Sequence, residues 1–136
     1  MRKRRLLTLA TLVAIAFLLS VPRLALAAQE RITSFDSAIT VNQDGSMRVE
    51  NTIRAIVTGD QIQHGIYYDF PTIYSNVRTG GRLVVDFRVL GVQRDWRTEP
   101  YTVGNLGNGK RVKIGSANTL IVPGEHTWVL RFSVDR

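Results

Sequence analysis

The stretch SMRVENTIRAIV, residues 46–57, alternates apolar and polar side chains. Met47, Val49, Ile53, Ala55 and Val57 fall on one face, and Arg48, Glu50, Thr52 and Arg54 on the other. A period of two marks a half-buried strand, because successive side chains point to opposite sides of a sheet. NQDG, residues 42–45, stands just before it, and its Asp-Gly pair suits the positive φ of a tight turn. Upstream of that turn, RITSFDSAITV (31–41) places Phe35, Ile39 and Val41 one way and Asp36 and Thr40 the other. The two stretches are predicted to form an antiparallel hairpin.

The same pattern recurs along the chain. RLVVDFRVL (82–90) reads as a strand with Leu83, Val85, Phe87 and Val89 inward and Asp86 and Arg88 outward. RVKI (111–114) is a short strand after the glycine-rich turn GNLGNG (104–109). TWVLRFSV (127–134) sets Trp128, Leu130, Phe132 and Val134 on one face, and PGEH (123–126) before it has the residues of a type II turn. In HGIYYDFPT (64–72), Ile66, Tyr68 and Phe70 point inward and Tyr67 and Asp69 outward. Pro71 closes that strand, because proline has no N–H to donate. After Ala28 helical periodicity is nearly absent, and the only helix expected is that of the N-terminal signal. About seven short strands separated by turns predict an all-β domain, an antiparallel β-sandwich of immunoglobulin-like type, with an open barrel as the alternative. The strands are too few for a large outer-membrane barrel.

The N-terminus reads as an address. MRKRR is followed by the uncharged run LLTLATLVAIAFLLS (6–20), then Pro22, then the small-x-small site Ala25–Ala27. These parts, in that order, predict a signal peptide over residues 1–27, cleavage before Ala28, and a domain over 28–136. The apolar run to Val21 is shorter than the roughly 20 residues that span a bilayer, which argues against the alternative of an uncleaved anchor. Export by the general secretion route, to the cell membrane or the cell surface, is the expectation.

The formal charge is +7, but Arg2, Lys3, Arg4, Arg5 and Arg23 lie in residues 1–27, which hold no acid. The remainder is nearly balanced, so nucleic acid is not an expected partner. The chain has no cysteine, which excludes disulfides, zinc–thiolate sites and cysteine nucleophiles. The domain must therefore be held by its apolar core.

No catalytic constellation, cofactor motif or metal-ligand spacing emerges. His64 and His126 lie 62 positions apart with no His-x-His or His-x-x-x-His pattern. A zinc site recruiting Asp69 or Glu125 is the weaker reading beside structural or solvated imidazoles. Ser46, Ser75 and Ser116 lack a Gly-x-Ser-x-Gly elbow. GNLGNG lacks the Gly-Lys-Ser/Thr that would make it a phosphate loop, and reads as a hairpin turn. Trp128 is in phase with an apolar face and belongs to the core. Trp96, between Asp95 and Arg97, is the better contact residue.

The order of three pieces carries a resemblance. They are ERITSFDSAITVNQDGSMRVENTI (30–53), IQHGIYYDFPT (62–72) and VKIGSANTLIVPGEHTWVLRFSV (112–134). They resemble the N-terminal extracytoplasmic domain of the predicted membrane proteins called domain of unknown function 2207. Arg31, Ile32, Asp44, Gly45, Ser46, Val49 and Glu50 fit its opening. Gly65, Ile66 and Pro71 fit its middle, and Ile114, Gly115, Gly124, His126, Thr127 and Trp128 its close. In place of the arginines that the middle signature often carries, this chain has Gln63-His64 and Tyr67-Tyr68-Asp69. The resemblance implies a domain that relatives continue into transmembrane helices, and it implies no activity. The expectation is a non-catalytic interaction or sensing module with His64, Tyr67, Asp69 and Trp96 as its contact surface. Its partner would be an envelope protein or a glycan. Membrane association would come through the signal segment or a C-terminal transmembrane region. A cell-wall carbohydrate-binding or glycan-processing domain is the alternative.

Overall fold

A computed structural model of the chain describes residues 29–135 apart from 77 and 79. The predicted signal peptide lies outside these residues. Within them the chain is all-β, its sheets are antiparallel, and no helix is present that is long and apolar enough to cross a membrane.

Strands β1 (Arg31–Val41) and β2 (Met47–Val57) form the predicted hairpin. Asp44 organises its turn by accepting from the Ser46 N–H at 3.0 Å and the Ser46 hydroxyl at 2.7 Å. Next come β3 (Gly65–Pro71), β4 (Ile73–Ser75), β5 (Arg82–Val84) and β6 (Asp86–Arg94). The chain ends with β7 (Arg97–Thr98), β8 (Tyr101–Leu106), β9 (Gly109–Gly115) and β10 (Gly124–Asp135). They build a five-stranded sheet of order β1-β2-β10-β6-β7, a three-stranded sheet β3-β9-β8, and the small pair β4-β5.

The spine is β2 beside β10. Ile53 faces Trp128 and Val49 faces Phe132 across this ladder, so the two strongest alternating stretches bury the same face. The three-stranded sheet lies against that face. Phe132 of β10 meets Tyr68 and Phe70 of β3 at ring distances of 5.8 and 5.3 Å, and Phe70 stacks on Phe87 of β6 at 4.9 Å. Ile66, Tyr68 and Phe70 point inward and Tyr67 and Asp69 outward, in the phase read from the sequence.

One inward position of β2 is polar. Asn51 is buried and donates from Nδ2 to the Tyr68 hydroxyl at 2.9 Å, while no donor among the described residues reaches its Oδ1. A buried amide with an unmet acceptor is a liability, and removing one partner strands the other. Tyr68→Phe alone is expected to cost about 1–2 kcal/mol. Asn51→Leu combined with Tyr68→Phe is expected to equal or exceed the wild type in stability. A double-mutant cycle by urea unfolding checks this, and additive losses would refute it.

Four local expectations need correction. RLVVDFRVL is not one strand. Val85 N–H donates to the Thr72 carbonyl at 2.9 Å, which turns the chain out of the small pair and into the large sheet. Leu83 is accordingly exposed. Beyond that break β6 runs on to Arg94, with an irregularity that leaves Leu90 as an extra residue between Val89 and Gly91. The slip changes phase, so that Val89 and Val92 both face the core. Much of GNLGNG belongs to strand β8, leaving only residues 107–108 as the turn, because Leu106 pairs directly with Gly109. PGEH is not a four-residue turn, since β10 already pairs from Gly124 onward. Finally, the apolar row of β1 faces the core side but is not covered: Phe35, Ile39 and Val41 are exposed, as is Ile32.

Candidate functional site

Strands β6 and β7 are joined by two residues, Asp95 and Trp96, with φ of 49° and 67°. Both lie in the left-handed region, as a two-residue hairpin of the I′ type requires, and such turns normally carry Asn-Gly. Neither residue here is glycine, so the geometry is held from outside. Asp95 N–H donates to the Thr127 carbonyl at 2.9 Å, and Asp95 Oδ1 accepts from Thr127 N–H at 2.9 Å. The His126 ring spans Asp95 Oδ2 at 2.6 Å and the Val122 carbonyl at 2.7 Å. Burial pushes the Asp95 carboxyl up. The hydrogen bonds from His126 and Thr127, with the nearby charges of His126 and Arg94, outweigh it and hold the carboxyl below its ordinary value. The clamp leaves Trp96 81% exposed at the tip. Leu120 and Val122, on the loop that His126 ties to Asp95, are exposed as well.

The lowered Asp95 carboxyl has a consequence in acid. A carboxyl that ionises more readily in the folded chain stabilises it above the ordinary value of about 4, and the stabilisation is lost as pH falls through the folded value. Asp95→Asn keeps the turn shape but not the charge. The gap in unfolding midpoint between wild type and Asp95→Asn is expected to narrow as pH falls below about 4. A constant gap would show that the charge is not what braces the turn.

A second surface opens at the same end of the strands. An open groove of about 610 Å³ runs between the start of β3 and the end of β9, with His64, Tyr67, Tyr101 and Lys113 on its walls. His64 is fixed through Nδ1, 3.0 Å from the Thr119 carbonyl. Tyr67 is exposed, and two cations lie near its ring, Arg111 at 5.1 Å and Lys113 at 5.9 Å from the ring centre. Arg111 also grips Asp69 with two donors, each at 2.7 Å. That fork-to-carboxylate pair holds the Asp69 carboxyl below its usual range.

Of the four residues expected to form one contact surface, the structure brings His64 and Tyr67 to one groove. Asp69 is spent on Arg111 and does not line it, and Trp96 stands on the separate hairpin. Arg111, Lys113 and Tyr101 were not among the expected residues. The only trace of the two cations in the sequence is the KRVK run, whose alternation puts Arg111 and Lys113 on one side of β9. His126 is a brace rather than a contact residue. Among the described residues, no group of three metal-binding side chains converges.

A family model described as "Predicted membrane protein (DUF2207) N-terminal domain" matches residues 31–136. A curated relative from Escherichia coli (strain K12), described as "Uncharacterized protein YciQ", is 24% identical over 106 residues, which is 78% of this chain. The match spans only 17% of the length of that relative. No solved structure matches the chain.

Proposed function

We propose, because this chain belongs to the family of predicted membrane proteins that carry the DUF2207 N-terminal domain, that it is a non-catalytic interaction or sensing module held outside the cytoplasm. Its two sheets, locked by the rings of Phe70, Phe87 and Phe132, favour reading it as a β-sandwich. The observation that carries the proposal is Trp96. A large aromatic side chain is placed in solvent by a turn that needs outside support, and backbone strain of this kind collects where a residue must be presented. The N-terminal residues 1–27, with their apolar run, supply the motive for placing the domain beyond the membrane.

Two substitutions test it. Trp96→Gly relieves the left-handed strain, which costs about 1–2 kcal/mol for a residue with a Cβ. The variant is expected to be more stable than wild type by about 1 kcal/mol, once the added freedom of glycine in the unfolded chain is counted. Trp96→Ala, immobilised beside wild type, is expected to retain less of whatever envelope component the wild type captures, with its thermal midpoint unchanged. Equal retention by both would remove Trp96 from the contact surface.

The groove supports a second reading, a site for cell-wall carbohydrate. Tyr67 and Tyr101 offer aromatic faces, and His64 and Lys113 offer polar groups, within one open cleft. Glycan arrays probed with wild type and Tyr67→Ala separate this reading from the first. Absence of any wild-type signal ends it.

A further inference from the structure

Strand β1 carries the core-side row Ile32, Phe35, Ile39 and Val41, in register with Ala55, Ile53, Val49 and Met47 of β2. On β2, Val49, Ile53 and Ala55 are buried. On β1 the row is 52% to 67% exposed. The reason is the reach of the second sheet. Its edge strand is β3, and Tyr68 of β3 touches Asn51 of β2 and Phe132 of β10. The layer over the core therefore ends above β2, and β1 extends past it as a ledge. The pairing edge of β3 and the apolar face of β1 are both left open.

Natural edge strands are kept short, charged or broken by proline to prevent pairing. The far edge of the large sheet obeys this, since β7 has two residues. Strand β1 has 11 residues, no proline or lysine, and no charge among its core-side positions; its protections are a register slip between Ile32 and Ser34 at its start and the polar Ser37 opposite Asn51. The ledge calls for one more strand beside β3, with apolar residues at alternate positions facing down onto β1. Among the described residues, β1 itself presents such an uncovered face.

We infer that two copies of this domain clasp each other, β1 of each copy lying beside β3 of the other and covering the other's apolar row. The arrangement is two-fold and self-complementary, as most homodimers are. It adds a strand to each small sheet by edge pairing. The four-residue rows bury on the order of 1,000 Å² across the pair, the lower bound of specific interfaces. Association is therefore expected to depend on concentration.

The absence of cysteine makes the test clean. Ala38 faces outward from β1, opposite Glu50, and Tyr67 faces outward from β3. Within one copy these lie on opposite outer faces of the packed sheets, whereas in the clasp they lie on one face of adjacent strands. The full chain, exported by its host and carrying Ala38→Cys with Tyr67→Cys, is treated in intact cells with a short bis-maleimide. The expected result is a cross-linked dimer for the double variant and none for either single variant. Adding Phe35→Lys and Ile39→Lys, both at exposed positions, is expected to lower the yield at least ten-fold without changing the thermal midpoint measured in dilute solution, where the domain is monomeric. A monomer in every lane overturns the inference, and so does a dimer that survives the two lysines. Cross-linking by Ala38→Cys alone would mean edge-to-edge pairing of β1 with β1, and would overturn the clasp as well.

Discussion

Phe132→Ala is expected to lower unfolding stability by about 3–5 kcal/mol, the range for emptying a buried aromatic site. Phe132 is 1% exposed, and its ring contacts Tyr68, Phe70 and Phe87, so it ties the face of β10 to both β3 and β6. With no disulfide to share the load, such a loss is a large part of the roughly 5–15 kcal/mol that holds a domain together. Urea unfolding should show a midpoint shift large enough to leave the variant partly unfolded near body temperature. Phe35→Ala is the internal comparison. It removes the same side chain from the same side of the sheet, but Phe35 sits on the uncovered ledge. In dilute solution its loss should stay below about 1 kcal/mol, since surface substitutions rarely reach more. Equal shifts for the two variants would contradict the packing described for β1 and β10.

The second large effect is expected at Gly65. It pairs with Gly115 at the open end of the β3–β9 ladder. A Cβ on Gly65 would lie 1.7 Å from the Ile114 carbonyl oxygen, and one on Gly115 would lie 2.0 Å from that of His64. The obstacle is backbone in both cases, so no side chain can swing aside. Gly65 also has φ of 148°, which side-chain-bearing residues rarely adopt. Gly65→Ala should therefore force the two strands apart, at about 3 kcal/mol or more. The damage should fall on the groove, because Gly65 lines it together with His64 just before it and Tyr67 two residues on. Hydrogen exchange is the discriminating measurement, with faster exchange expected across β3 and β9 and the β2–β10 ladder little changed. Gly91→Ala, where a Cβ meets nothing within 4 Å, is the control. If Gly65→Ala proves as mild as Gly91→Ala, the close pairing of the two glycines is wrong.

That pairing also marks where the sequence is readable and where it is not. Gly65 and Gly115 each belong to a recognisable motif, but nothing local says that the motifs touch. Strand register is a relation between distant segments, while alternation is a property of one. Alternation was enough to orient β2, β3 and β10, and to separate Trp128 in the core from Trp96 outside it. It named the apolar row of β1 as well, but a period of two says which side a residue faces and not whether anything lies there. The bulge at Leu90 escaped for a related reason, because one added residue reverses the phase and a fixed period cannot follow it. The Asp95-Trp96 turn carries no glycine, so its shape comes from His126 and Thr127, some thirty residues away. The site was thus half legible. Tyr67 and His64 could be found from the strand that bears them, whereas Arg111 and Lys113 became part of it only once β9 was placed beside β3.

The order β1-β2-β10 gives the domain a mechanical character. Both outer strands of that trio run antiparallel to β2, hence parallel to each other. Strand β1 starts beside the end of β2, and β10 finishes beside its beginning. Tension applied between the start of β1 and the end of β10 therefore acts along the strands and in opposite directions. Every hydrogen bond of two long ladders shares that load at once, instead of parting one at a time as in a hairpin peeled from its open end. A domain strung this way between two attachment points would stretch little and would release abruptly, behaving as a tether rather than a spring.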